Sequence, residues 1–344
     1  MMTFITKLQI ISYFCTMIEQ KETPLVSFVI TYYNQPVQML CECIDSILAL
    51  SLRSFEREII VIDDGSEVCP MNGLMQYGDD IVYVRQKNQG VSTARNRGMN
   101  MAAGKYIQFI DADDYLIQTP YEHCLDIIRY HKDADMVLFD FTHSANQQDT
   151  NIQSPIKTSG TAYMRNHNIA GTVCCFLFRL GIVGKLTFSP NIKYGEDEEF
   201  TAQLLLRAED IYTTEVKAYF YRRHKESAIQ LSRTEETGKK KRLEDNLSVI
   251  LHLQNLCDKL PQNDRLALQR RVAQLTMDYI YNTITLTHSR QALNNCLDEL
   301  SSKGLFPLPD RDYTRKYTWF RRMTNSAVGR TLLLHSLPLL KREK

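Results

Sequence analysis

The chain lacks the marks of several protein classes. Its net charge is only +1, with 41 Lys/Arg against 40 Asp/Glu, which argues against a nucleic-acid partner. No stretch reaches the roughly 18–20 continuous apolar residues of a spanning helix. The apolar start, residues 1–18, is interrupted by Thr3, Thr6, Lys7, Gln9, Ser12 and Thr16, and it has no small-residue cleavage site of the signal-peptide kind. Met17 stands shortly before the first strand pattern, so a native start there is expected, with residues 1–16 dispensable. Nine cysteines are scattered without Cys-x-x-Cys spacing, and an odd number does not suggest a disulfide framework. Reduced thiols are the simpler expectation. There is no internal repeat, and Trp319 is the only Trp.

What is present centres on residues 105–114, Lys-Tyr-Ile-Gln-Phe-Ile-Asp-Ala-Asp-Asp. The apolar run reads as a buried strand, because it lacks the polar alternation of a half-exposed one. It ends in Asp111, Asp113 and Asp114. Carboxylates crowded at a strand end repel one another unless a cation or hydrogen bonds compensate, and in an open α/β sheet that edge is where ligands bind. Hard oxygen ligands suit Mg²⁺ or Mn²⁺ bridging to a substrate's phosphates. A polar turn capping the next helix is the alternative reading of the same residues.

Along the chain, Val26–Thr31, Glu58–Ile62, Ile81–Val84 and Lys105–Ile110 read as strands. Between them lie a helix with Pro36 in its first turn and apolar Val37, Leu40, Cys41, Ile44, Ile47 and Leu48, and a helix from Gly90 with Gly104 as its cap. A helix over about 120–132 and a strand from Asp135 to Phe139 follow. Strand–helix alternation predicts a doubly wound, mostly parallel sheet. Residues 146–159 read as a polar surface loop, Gly195–Phe200 as the opening of a helix, and Tyr219–His224 as a late strand. Helical patterns cover 243–258, 264–287 and 289–303.

Acidic clusters thus fall at three element ends: Asp63-Asp64, Asp111 with Asp113, and Glu196-Asp197. With Val-Ser-Phe-Val-Ile-Thr-Tyr-Tyr-Asn (26–34), Gln-Gly-Val-Ser-Thr-Ala-Arg-Asn-Arg-Gly (89–98) and Tyr-Arg-Arg-His-Lys-Glu-Ser (221–227), this ordered set resembles the family 2 glycosyltransferases over roughly residues 24–230. The resemblance implies an α/β fold of the GT-A, Rossmann-like type with a helical C-terminal extension, and a bacterial, non-processive enzyme. It implies that Thr31 and Tyr33 line the base pocket, that Asp64 bonds base or ribose, and that Arg95 sits beside the nucleoside. Asp111 and Asp113 match an Asp-x-Asp pair holding Mn²⁺ or Mg²⁺, with Asp113 the more direct ligand. Asp197 matches the catalytic base, and Arg223 and Ser227, with Arg222 and His224 close by, match a segment closing over the diphosphate.

The chemistry asks for the same residue types. A departing nucleoside diphosphate needs cationic stabilisation, which a divalent ion and an Arg fork supply. The incoming hydroxyl must lose a proton to a carboxylate. A single base implies single displacement with inversion. Glu226 and Ala228 depart from the pattern of relatives, and the Gln-x-x-Arg-Trp sequence of processive synthases is missing, so transfer of one sugar is expected. A sugar nucleotidyltransferase would carry a Gly-rich phosphate loop after the first strand, where Thr31-Tyr32-Tyr33-Asn34 stands instead. A catalytically silent sugar-nucleotide-binding homologue would lack Asp113 or Asp197, and both are present.

The expected organisation is an N-terminal extension (1–23), a catalytic domain (24–235), a helical subdomain (236–304) and a tail (305–344). From Arg311 to Lys344 nine basic residues face two acids, +7, whereas residues 1–310 carry 32 basic and 38 acidic, −6. Basic residues among Leu332–Leu334 and Leu337–Leu340 suit either a membrane interface or a terminal helix packed on the body. The first option places the enzyme in the cytoplasm, peripherally on the inner membrane face. There it would take a UDP-sugar donor and a glycan or polyprenyl-diphosphate-linked glycan acceptor, as relatives building surface polysaccharides do.

Overall fold

A computed structural model describes residues 23–144, 153–169, 172–223 and 235–340. The N-terminal residues 1–16, and with them the expected native start, lie outside the described residues, as do His224, Glu226, Ser227 and Ala228.

One nine-stranded sheet organises the first two-thirds of the chain, in the order β3-β2-β1-β4-β8-β6-β9-β5, with β7 paired to β9. Its first half is parallel: β1 (Val26–Tyr32) lies between β2 (Arg57–Asp63) and β4 (Tyr106–Asp111), and β3 (Val82–Arg85) forms the edge. All seven β1 residues are buried, which accounts for the unbroken apolar character of this strand. The register pairs Thr31 with Asp111 and Tyr32 with Asp63. The acidic ends of β2 and β4 therefore flank the end of β1 at one edge.

The second half is mixed. β8 (Phe176–Arg179) runs antiparallel between β4 and β6 (Met136–Thr142), β6 pairs parallel with β9 (Ile211–Phe220), and β5 (Tyr115–Leu116) and β7 (Ile156–Thr158) pair antiparallel with β9. This corrects two expectations. Part of the polar stretch at 146–159 is a short edge strand, and the late strand ends at Phe220, leaving 221–223 without regular structure.

Around the sheet lie α1 (Val37–Leu48), α2 (Met71–Leu74), α3 (Val91–Met101), α4 (Gln118–Tyr130), α5 (Gly160–Asn166) and α6 (Glu196–Leu205). α1 and α4 bury one apolar face each, including Leu40, Ile44 and Ile47 on α1 and Leu125 and Ile128 on α4. Gly104 is not the cap of α3, which ends at Met101 with Ala102 as its C-cap, and a methyl group at Gly104 would stand 2.6 Å from the Ser27 backbone N. Its glycine permits the close approach of this turn to β1.

The remainder is helical: α7 (Glu236–Cys257), α8 (Gln262–Thr287), α9 (Arg290–Ser302), α10 (Arg315–Asn325) and α11 (Ala327–Leu340). α8 is the subdomain's spine, with sixteen buried residues packed against α5, α7, α9 and the final pair. The tail is part of this body. Phe320, Thr324, Leu333 and Leu337 are buried, while Trp319, Val328 and Leu332 remain exposed. No helix among the described residues is long and apolar enough to cross a membrane. The eight described cysteines are all free thiols.

Candidate active site

The carboxyl edge of β1, β2 and β4 opens into a cavity of about 1820 Å³ that continues to the helical subdomain. Thr31, Tyr33, Asp64, Arg95, Asp111, Asp113 and Asp197 all border it. A second depression, about 680 Å³, lies at the opposite strand ends around Pro24, Lys105 and Lys132 and contains none of these groups.

The β2 end is built for rigidity. Asp63 is fully buried, accepts the Ser66 backbone N–H at 2.8 Å and the Tyr83 hydroxyl at 2.6 Å, and has Arg85 Nε 3.5 Å away. Asp64 accepts from Gln86 Nε2 and the Gln89 backbone N through Oδ1, and from the Gly90 backbone N through Oδ2. Its carboxylate thereby fixes the loop that launches α3, a structural duty beyond the base or ribose contact expected of it. Gly65, at φ +80° with the Asn88 backbone N 2.7 Å from where a methyl would sit, lets the two loops meet. Tyr33 is 44% exposed beside this loop, so its ring is accessible to a flat ligand.

Arg95 is the hub. It is buried on α3, yet Nη2 donates to Asp111 Oδ1 at 3.0 Å, and Nη1 donates to Glu196 Oε1 at 3.1 Å and Asp197 Oδ1 at 2.5 Å. Its guanidinium lies 5.5 Å from the Phe188 ring centroid. Burial opposes its charge, but Asp197, Asp111 and Glu196 more than restore it, so its pKa is held well above the ordinary value. Arg95 therefore links the strand-end aspartate to the helix-end pair while bordering the cavity.

At the β4 end, Asp111 also accepts from Thr31 Oγ1 at 3.3 Å. Asp114 turns inward, accepting the Tyr219 hydroxyl at 2.7 Å and the Arg222 backbone N at 2.8 Å. Burial, reinforced by Asp111 and Asp113, pushes its carboxyl up to about 8. Such mutual repulsion is what a divalent cation relieves. Among the described residues no cluster of three or more protein ligands could hold a metal, but Mg²⁺-type ions are commonly held by one or two carboxylates plus substrate phosphates. Asp111 and Asp113 fit that partial set.

Arg222 binds backwards into this turn, donating from Nε to the Asp113 carbonyl at 2.8 Å and from Nη2 to Glu42 Oε2 at 2.7 Å. Arg223 is exposed at the limit of the described residues and is not among the cavity's lining. Ser227 and His224 lie outside the described residues.

Asp197 sits in the first turn of α6, where four successive acids favourably meet the helix N-terminus. Its Oδ2 accepts from the Val173 backbone N at 3.3 Å. Burial raises its pKa, Arg95 opposes this and Asp111 adds to it, leaving the carboxyl at about 6. Glu196, which shares the same guanidinium nitrogen, is pushed up further, by burial and then by Asp197.

Sequence reasoning missed the part that holds this turn. Asp245 on α7 is buried, its Oδ2 accepting from the backbone N of Lys193 and Tyr194, and its Oδ1 from Lys241 Nζ at 2.7 Å. Asp245 thus clamps the loop leading to Gly195, which enters α6 at φ +95°. Its signal, an Asp on the inward side of an amphipathic helix pattern, is indistinguishable in sequence from a solvated charge.

The profile described as Glycosyl transferase family 2 matches residues 27–186. GgaB of Bacillus subtilis, a minor teichoic acid biosynthesis protein, is 25% identical over 247 residues, 70% of this chain and 27% of GgaB. EpsJ of the same organism, an uncharacterized glycosyltransferase, is 28% identical over 227 residues, 60% of this chain and 64% of EpsJ. The chain thus spans between about a quarter and two-thirds of the length of these curated relatives. Among solved structures, Staphylococcus aureus TarS superimposes with a TM-score of 0.59 at 17% identity, covering 80% of this chain and 48% of TarS. The mannosyltransferase PcManGT of Pyrobaculum calidifontis, solved with GDP-Man and Mn²⁺, gives 0.55 at 13% identity, covering 92% and 85%. At such identities the structural likeness concerns the fold alone, which is GT-A. The profile match, together with the strand-end acids, identifies residues 27–186 as a glycosyl transferase family 2 region.

Proposed function

We propose that the chain transfers a single sugar, with inversion and with a divalent metal, from a nucleoside-diphosphate sugar to a hydroxyl of a glycan or lipid-linked glycan in bacterial surface-polysaccharide synthesis. The observation that carries this reading is the Arg95 hub, which ties the β4 carboxylate Asp111 to Asp197 in one cavity. UDP is the favoured nucleotide, since TarS has been solved with UDP and with UDP-GlcNAc.

In this reading Tyr33 and Thr31 bound the nucleoside end, and Asp64 keeps the α3 loop in place behind it. Asp113 and Asp111 would hold Mn²⁺ or Mg²⁺, which when bound supplies positive charge against the diphosphate. Arg223 and Ser227, on the segment after β9, are assigned to the diphosphate. Asp197 takes the proton of the acceptor hydroxyl as the new C1–O bond forms. The old C1–O bond breaks, and its electron pair leaves with the nucleoside diphosphate. Arg95 holds Asp197 ionised and aimed while that proton is still on the acceptor.

The test is metal-dependent nucleotide release from a panel of UDP-, GDP- and dTDP-sugars, read beside nucleotide binding. One donor is expected to respond. Asp113→Ala should lower its metal-dependent turnover more than about 100-fold, since even outer-shell partners of metal sites cost 10–100-fold. Wild-type protein that binds no nucleotide with Mn²⁺ or Mg²⁺ would sink the proposal, whereas binding without turnover would leave a silent homologue.

Peripheral membrane contact belongs to the same proposal. Trp319, Val328 and Leu332 are exposed on α10 and α11, close in sequence to the exposed Arg315, Lys316 and Arg322. An apolar and basic surface of this kind suits anionic lipid. The protein should float with vesicles of phosphatidylglycerol but not of phosphatidylcholine, and the binding should weaken with salt. Absence of flotation with either lipid would remove the membrane from the proposal.

A further inference from the structure

The cavity extends past Asp197 onto two helices that lie outside residues 27–186, the span matched by the family profile. On α8, Leu275, Asp278, Tyr279 and Asn282 line it at positions i, i+3, i+4 and i+7, one helical face. α8 is otherwise largely buried. A stripe holding a carboxylate and an amide on its inward side is costly unless water or a polar ligand meets it. Asn246 lines the cavity from α7, and Asn282 Nδ2 donates to Asn246 Oδ1 at 3.4 Å. Each amide has two donors and two acceptor positions, so this one long bond leaves both with hydrogen-bonding capacity.

The amide pair is close to the chemistry. A methyl at Gly195, two residues before Asp197, would stand 3.2 Å from Asn246 Nδ2. Asp278 holds the Tyr317 hydroxyl at 2.7 Å through Oδ1, which fixes the carboxylate's orientation. Glu196, Asp197, Glu198, Glu235 and Asp278 border the cavity against Lys193, Lys241 and Arg242. The balance is acidic, which disfavours an anionic ligand. Amides and a carboxylate suit paired hydroxyls, while Leu275 and the Tyr279 ring suit the C–H face of a sugar.

We propose that Asn246, Asp278 and Asn282 form the acceptor subsite and that it takes a neutral sugar residue, the helical subdomain thus setting acceptor choice. This rests on the reading of Asp197 as the base facing the acceptor. The test is saturation-transfer NMR with the methyl glycosides of glucose, galactose, N-acetylglucosamine and rhamnose, run with Mn²⁺-free UDP or GDP, whichever binds. Glycerol 3-phosphate is run in parallel. At least one glycoside should bind saturably, and the double variant N246A/N282A should weaken it by about tenfold or more, the loss of hydrogen bonds to two half-buried amides. Nucleotide affinity should stay unchanged. The isosteric N282D, which removes one amide donor group, is the companion variant if the double variant melts early, and it too should weaken the glycoside. Wild-type protein that binds no glycoside, variants that bind it unchanged, or binding of glycerol 3-phosphate alone would each overturn the assignment. Failure to bind either nucleotide would instead overturn the underlying function, so the two failures are distinguishable.

Discussion

Asp197→Asn is expected to lower kcat/KM for sugar transfer by about 10²–10⁴-fold, the usual contribution of a positioned general base, with nucleotide affinity little changed. The substitution keeps the shape of the side chain and its acceptor oxygen for Arg95, whose Nη1 lies 2.5 Å away. What it removes is the capacity to take a proton. The pH profile separates this from a loss of structure. The wild-type carboxyl is raised to about 6, by burial first, with Arg95 opposing and Asp111 adding. A base works only when unprotonated, so wild-type kcat/KM should fall tenfold per pH unit below about 6 and level off above it. The residual activity of the variant should lack that acid limb. If the limb persists unchanged in Asp197→Asn, the base is another group, and Glu196 on the same guanidinium nitrogen becomes the next candidate.

The parts of this site that were legible in the sequence share a physical cause. β1, β2 and β4 are buried in a parallel sheet, so they appear as apolar runs, and the acids of β2 and β4 stand out as abrupt ends. The run Phe176–Arg179 is as buried as they are, but it is short and antiparallel, and nothing local says that it inserts between β4 and β6. β7 has three half-exposed or exposed residues and is held only by its pairing with β9, so it reads as loop. Asp245 and Arg95 make contacts across 52 and about 100 residues. Their residue types were visible and their partners were not. The same holds at residues 222 and 223. Two adjacent arginines are equivalent as sequence, yet the backbone after β9 turns Arg222 onto Asp113 and Glu42 and leaves Arg223 outward. In the tail the apolar leucines were legible, but their division between a buried set, Leu333 and Leu337, and an exposed Leu332 follows from helix packing.

Arg95→Met should have the largest effect on stability. The guanidinium is 3% exposed and is shared by carboxylates from two elements, β4 and α6. Removing one partner of a buried ionic group costs about 3–5 kcal/mol, because it leaves uncompensated buried charge. Methionine refills much of the space against Phe188, which lies next to the guanidinium, so charge is the main thing lost. The pH dependence has a definite sign. Asp197 and Glu196 already have folded pKa values above their unfolded ones. A carboxyl raised in this way binds protons more tightly when folded, so its contribution to stability declines as pH rises from the unfolded pKa towards the folded one. Without Arg95 both folded values rise further, and the decline continues to higher pH. The gap between wild type and variant should therefore be smallest near pH 5, where both groups are protonated in either protein, and should widen between pH 6 and 9. Urea unfolding with EDTA present, at pH 5, 7 and 9, measures this directly, since the chelator keeps a stray cation from replacing the lost charge. A gap independent of pH would mean that Arg95 does not stabilise the fold through the ionised forms of Asp197 and Glu196.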